Sequence, residues 1–212
     1  MPVEDKYRDQ VLQVQRDIVD LEWMMFTGVH GGNGKVFTDE DRLAFATMRT
    51  SQFFSWERFV AESYLNDLQT AVGNNRNLFL EKYYYMIEKT DPESFIKAQP
   101  FMPKLDETSL ELIDMITDQY RTWETEIAEK YPTIAKVALP MDNMTEGEDT
   151  SFAHYLFCEM KTYSKKTLTM LYSSLVAFPD KNRYKASLEY LMRAYGFSSL
   201  EEAEKTLAGM QN

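Results

Sequence analysis

The chain has 212 residues, of which 44% are hydrophobic and 27% charged, a balance that excludes wholesale disorder and allows a core without metals or disulfides. Asp and Glu outnumber Lys and Arg by 34 to 23, and the net charge of -11 repels phosphate backbones and anionic membranes, which excludes nucleic acid as a natural partner. With 8 Gly and 7 Pro, the composition points to long helices rather than a turn-rich β fold.

Residues 3–27 place Val11, Val14, Ile18, Leu21 and Met25 at three- and four-residue steps, the stripe of an amphipathic helix. Gly28 and the Gly31-Gly32-Asn33-Gly34 cluster close it. Thr38 and Asp41 form a capping box for a second, long helix carrying Phe45, Met48, Trp56, Val60 and Tyr64 as far as Gly73. A third runs over 77–89, and Asp91-Pro92 supplies an N-cap and an N1 proline for a fourth. Pro100 and Pro103 interrupt the chain near its midpoint, so residues 99–106 are the expected junction.

Thr108 and Glu111 suggest a capping box for a fifth helix through Leu112, Ile116, Trp123 and Ile127 to Tyr131-Pro132. Residues 133–148 show no period and read as a loop. Asp149, Thr150 or Ser151 can cap a sixth helix through Tyr155, Glu159, Tyr163 and Leu175 to Phe178-Pro179. A seventh covers 181–195 and an eighth starts at Ser198. The expected fold is all-α: one compact domain over residues 1–212, with about eight helices and no strand.

The second half repeats the first at low fidelity with an offset of roughly 107 positions. Met48-Arg49-Thr50-Ser51-Gln52-Phe53-Phe54-Ser55-Trp56 falls on Tyr155-Leu156-Phe157-Cys158-Glu159-Met160-Lys161-Thr162-Tyr163, and Asn75-Arg76 falls on Asn182-Arg183. Two tandem repeats follow, about 3–98 and 106–210, related by a pseudo-twofold axis. Met48, Gln52 and Trp56 then share a helix face, as do Tyr155, Glu159 and Tyr163, and the two faces meet near the axis.

Arg49, Gln52, Trp56, Glu159 and Tyr163 are therefore the candidate ligand-binding residues. A guanidinium, an amide, a carboxylate and aromatic rings on apolar walls suit a small polar molecule. Arg49 favours a carboxylate or phosphate and Glu159 an amine or guanidine, a combination that fits an amino-acid-like metabolite. The competing reading is structural, with the aromatics as core and Arg49 and Glu159 as a buried ion pair. A second constellation, Tyr64, Asp67, Arg76, Lys82 and Tyr83-Tyr84-Tyr85, reads as packing.

The glycine cluster before Lys35 fails as a phosphate-binding loop, because its spacing is one residue too long and Val36 stands where Ser or Thr is required. His154 and Cys158 are two possible ligands on one helix face, too few for a zinc site, so no metal and no cofactor are expected. Cys158 is the single cysteine, which suits a reducing compartment. Met1-Pro2-Val3-Glu4-Asp5-Lys6 lacks the regions of a signal peptide, and no apolar run approaches the roughly 20 residues that span a bilayer. The expected location is the cytoplasm.

Met48-Arg49-Thr50-Ser51-Gln52, Ser63-Tyr64-Leu65-Asn66-Asp67-Leu68, Asn75-Arg76-Asn77-Leu78 and Asp149-Thr150-Ser151-Phe152 resemble the bacterial family described as domain of unknown function 4125. The resemblance covers nearly the whole chain and implies a bacterial cytosolic protein with no particular activity. Asn75 stands where that family leads one to expect glycine. The leading functional expectation is a small polar metabolite bound between the repeats. The alternative is a protein-protein interaction or scaffold protein with no small-molecule site, whose 13 methionines adapt to partners.

Overall fold

A computed structural model of the chain describes residues 3–31, 36–137 and 152–210. The described residues form eleven α-helices, one 3-10 turn (Gln99–Phe101) and no strand. The helices are α1 (Val3–His30), α2 (Asp39–Phe53), α3 (Arg58–Gly73), α4 (Leu78–Met86), α5 (Pro92–Ala98), α6 (Glu107–Lys130), α7 (Pro132–Val137), α8 (Phe152–Met160), α9 (Lys165–Ala177), α10 (Arg183–Ala194) and α11 (Leu200–Met210).

The all-helical expectation is met, but the count of about eight is too low for three physical reasons. The long second helix is two, α2 and α3, and the long sixth is α8 and α9. Neither break contains Gly or Pro, and the apolar period runs across both, so the pattern conceals them. The third reason is α7, which forms where the sequence reads as loop. Its first turn is capped from α11, where the Glu204 carboxylate accepts the backbone N–H of Thr133 at 2.9 Å and of Ile134 at 2.9 Å. A local reading has no access to a cap 70 residues away.

The caps refine other boundaries. Thr38 and Asp41 make the expected capping box, and Asp91 caps α5 ahead of Pro92. At α6 the cap is Asp106, whose carboxylate accepts the N–H of Ser109 at 2.8 Å, in place of Thr108 with Glu111. The α1 helix runs through Gly28 to His30, and α4 ends at Met86, short of Lys89. The proposed caps Asp149, Thr150 and Ser151 lie outside the described residues. Glu124 of α6 accepts the N–H groups of Phe152 and Ala153, at 3.0 and 3.3 Å, and so holds the start of α8.

Two long helices organise the packing. The α1 helix lies against α2, α3 and α4, while α6 lies against α7, α8, α9 and α10; contacts of α3 with α9, α2 with α10 and α4 with α8 join the two sets. One apolar cluster runs through both, with Ile18, Phe53, Leu68, Ile113, Ile116 and Leu168 fully buried. Burying such side chains stabilises by roughly 1.5–3 kcal/mol each.

The turn between α3 and α4 places Asn75 at φ 55°, left-handed backbone that asparagine tolerates and glycine adopts freely. The glycine expected there on family grounds and the asparagine present satisfy the same geometry. Replacing Asn75 by Val is expected to lower stability by roughly 1–2 kcal/mol, whereas Asn75→Gly stays near wild type, as measured by urea denaturation.

Candidate functional site

Glu22 interrupts the buried face of α1, which otherwise carries Ile18 and Met25. From α2 the Arg49 guanidinium meets it bidentately, with Nε to Oε2 at 2.7 Å and Nη2 to Oε1 at 2.5 Å. Glu159 of α8 takes the opposite edge of the same guanidinium, accepting from Nη1 and Nη2 at 3.0 Å each. Arg49 is 1% exposed and Glu22 is fully buried.

The remaining lone pairs and donors are matched in turn. Gln52 accepts from Arg49 Nη1 at 2.6 Å and donates to Glu159 Oε1 at 2.9 Å. Tyr163 donates to Glu159 at 2.7 Å, and Tyr64 of α3 donates to Glu22 at 2.8 Å. Lys82 of α4 approaches Glu159 Oε2 at 3.7 Å, donates to the Tyr155 hydroxyl, and lies 4.3 Å from the Phe79 ring centroid and 4.1 Å from that of Tyr155. Arg49 stacks over Phe53 at 4.8 Å. Two carboxylates thus face two cations, and the named charges balance.

The electrostatics separate the two acids. Burial pushes the Glu159 carboxyl up, but the Arg49 and Lys82 charges, with hydrogen bonds from Arg49 and Tyr163, outweigh it and bring it from its ordinary 4.5 to about 2. Burial dominates at Glu22, which is raised even though Arg49 and Tyr64 pull it down. Lys82 adds its charge beside Glu159, whereas the Glu159 charge itself pushes Glu22 up. Burial works against the Arg49 charge, yet Glu159 and Glu22 hold its proton well above the usual range. Tyr64 and Tyr163 are pushed well up by burial and by the carboxylates they face, so both remain donors.

Of the five residues singled out in the sequence, Arg49, Gln52, Glu159 and Tyr163 meet in this network. Trp56 borders it as a wall. Its ring lies 4.9 Å from Phe53, 5.9 Å from Tyr64 and 6.3 Å from Tyr163. Tyr155, expected on the same face as Glu159, completes the cluster with Glu22, Lys82 and Tyr64, which the sequence reading leaves outside it. The signal for Glu22 was its spacing, four after Ile18 and three before Met25, which forces a carboxylate onto an apolar stripe.

The second constellation disperses. Tyr64 and Lys82 enter the buried network, Arg76 binds Glu81 bidentately at 2.8 and 2.7 Å, and Asp67 accepts the Ser164 N–H at 2.9 Å. Tyr85 packs with Met102 and Cys158 in a small satellite core. His154 lies 3.6 Å from the Cys158 sulfur, and no group of three or more His, Cys, Asp or Glu able to hold a metal occurs among the described residues. Gly28 belongs to α1, while Gly32, Asn33, Gly34 and Lys35 lie outside the described residues.

A family model described as Protein of unknown function (DUF4125) matches residues 12–205. No curated protein and no solved structure matches the chain. Among the described residues, no helix is long and apolar enough to cross a membrane.

Glu159→Gln leaves Arg49 and Lys82 facing one carboxylate and is expected to cost roughly 3–5 kcal/mol at neutral pH. A carboxyl lowered from 4.5 to about 2 stabilises the fold fully above pH 4.5 and loses that contribution as pH falls toward 2. Glu22 acts in the opposite sense, since protonating a raised, buried acid relieves its desolvation. Urea denaturation as a function of pH should therefore show wild type and Glu159→Gln converging below pH 4.5. A constant gap down to pH 2 contradicts the assignment.

Proposed function

The chain belongs to the DUF4125 family, and from that premise we propose that it is a tandem helical duplication that binds a small zwitterionic metabolite, amino-acid-like in character, at the charged cluster between its halves. The observation that carries this reading is the cluster itself: Arg49, Lys82, Glu22 and Glu159 are all ionisable groups withdrawn from water at the contact of α1, α2, α4 and α8. Buried ion pairs are weak contributors to stability, and apolar side chains of similar volume often hold such a contact better. Retention of four such groups in one place is the pattern of a functional site.

The cluster's charge balance selects the ligand. An incoming molecule with one carboxylate and one ammonium can exchange with the internal partners without leaving an unpaired charge. Its carboxylate replaces Glu159 or Glu22 on the Arg49 fork, and its ammonium takes the displaced carboxylate. Phe53, Phe79, Trp56 and Tyr155 line the apolar side.

The duplication is supported by reciprocal contacts at equivalent positions. Gln52 and Glu159, 107 positions apart, hydrogen bond to each other. Ser174 donates to Glu57 while Ser164 donates through its backbone to Asp67, so the residue pairs 57 with 174 and 67 with 164 exchange roles at the same offset. The breaks at 54–57 and 161–164 also correspond, and α2 packs on α10 as α4 packs on α8.

Native mass spectrometry against the denatured mass, followed by thermal shift with amino acids and guanidino acids, tests the binding. The expected result is a released mass of metabolite size and, at a ligand concentration 100-fold above Kd, stabilisation by about 2.7 kcal/mol that Gln52→Met or Tyr163→Phe diminishes. A bare polypeptide mass with no thermal shift overturns the metabolite reading and leaves the interaction or scaffold alternative, with Arg49 and its partners as structural groups.

A further inference from the structure

A second arginine has a different setting. Arg76, just before α4, is pinned by Glu81, whose carboxylate is buried and takes Nε and Nη2 at 2.8 and 2.7 Å. The guanidinium is fixed in orientation but 30% exposed, and its Nη1 has no partner among the described residues. It borders a cleft of about 430 Å³ between the first turn of α4 and the α5 and 3-10 segment, within the size range of small-molecule sites.

The cleft joins two chemistries. Lys97 lines it and makes no ion pair among the described residues, and Tyr84 lines it as well. The α4 N-terminus adds positive potential, since Asn77 caps only the Leu80 N–H by side chain. The same cleft is lined by Leu80, Met102 and Phe101, the last 84% exposed. Arg76 and Lys97 against Glu81 leave one excess positive charge on a chain whose net charge is -11.

We propose that this cleft binds a small amphipathic carboxylic acid, with the carboxylate held by Arg76 Nη1 and Lys97 and an aryl or branched alkyl body against Leu80 and Phe101. The single excess charge matches a monoanion. The equivalent arginine of the second half, Arg183, supports the assignment. It is 1% exposed and committed to the Ser55 carbonyl at 2.8 Å, Glu57 at 2.9 Å and Ser174 at 2.6 Å. Glu81 corresponds to Leu188 at the same offset, so of these two equivalent arginines Arg76 alone has an acid at that position to hold it. That comparison rests on the duplication; the cleft and its donors stand without it.

Phenylacetate is the probe, titrated into the full chain and followed by ligand-observed NMR and calorimetry, with phenyl phosphate, benzyl alcohol and phenethylamine as comparisons. Lys97 and Phe101 are exposed, so Lys97→Glu and Phe101→Ser leave the fold intact, as thermal unfolding verifies. The expected result is saturable phenylacetate binding at millimolar concentration or below, weakened about tenfold or more by Lys97→Glu and also weakened by Phe101→Ser, with the alcohol and amine inactive. Absence of saturable binding, equal binding by Lys97→Glu, or equal binding of benzyl alcohol overturns the site. Tighter binding of phenyl phosphate overturns the carboxylate assignment.

Discussion

A guanidinium taken out of water needs negative charge and hydrogen-bond acceptors at every edge, and Arg49 finds both through four other helices. Glu22 comes from α1, Gln52 from its own α2, Glu159 from α8, while Tyr64 of α3 and Lys82 of α4 hold the two carboxylates. Removing α1, α2, α4 or α8 takes away a charge that another buried group faces, and removing α3 takes a donor from Glu22, each at a cost larger than that of a lost apolar contact. The network therefore fixes the relative register of these helices in a way that interchangeable apolar side chains do not.

Acidic side chains finish helix ends in the second half that the chain cannot finish locally, and one in the first half gathers buried donors. Glu204 caps α7, Glu124 caps α8, and Glu57 receives Arg183, Ser174 and Lys181 at the start of α3. Each is a carboxylate accepting donors that a helix terminus or a buried cation would otherwise leave unmatched. The acidic composition thus has an internal use. Several of its 34 acidic side chains work inside the fold as caps and ion-pair partners.

The legible part of the fold was whatever local periodicity and caps encode. Thr38 with Asp41, and Asp91 ahead of Pro92, announced helix starts that the structure keeps. The expected meeting of Gln52 with Glu159 holds, and Arg49 and Tyr163 join them, but Trp56 and Tyr163 sit in the turns beyond α2 and α8 rather than on shared helix faces. The hidden part depended on distant residues. The break after Phe53 is held by Arg183 on the Ser55 carbonyl, and α7 by Glu204, neither of which a short window contains. Glu22 was readable in principle, being a charge at a core position, but its neighbours Leu21 and Met25 drew the stripe one residue aside.

The two breaks also explain how so much charge reaches the core. A continuous helix from 39 to 73 would carry Trp56 and the residues after it along one axis, away from α8. The turn at 54–57 instead ends α2 just past Gln52, so Arg49 and Gln52 lie in its last turns and α3 returns with Tyr64 on the same volume. On the other side, α8 ends at Met160, one residue past Glu159, and the following turn brings Tyr163 back onto that carboxylate. Ending a helix inside a core exposes carbonyls, and here they find donors: Trp56 N–H donates to the Phe53 carbonyl at 3.0 Å, Arg183 to that of Ser55 at 2.8 Å, and Thr162 through its N–H and hydroxyl to that of Glu159 at 2.9 and 2.7 Å. The polar network and the helix breaks are therefore one device, since the breaks aim the charged side chains inward and a buried arginine and the turn's own donors satisfy the backbone that the breaks expose.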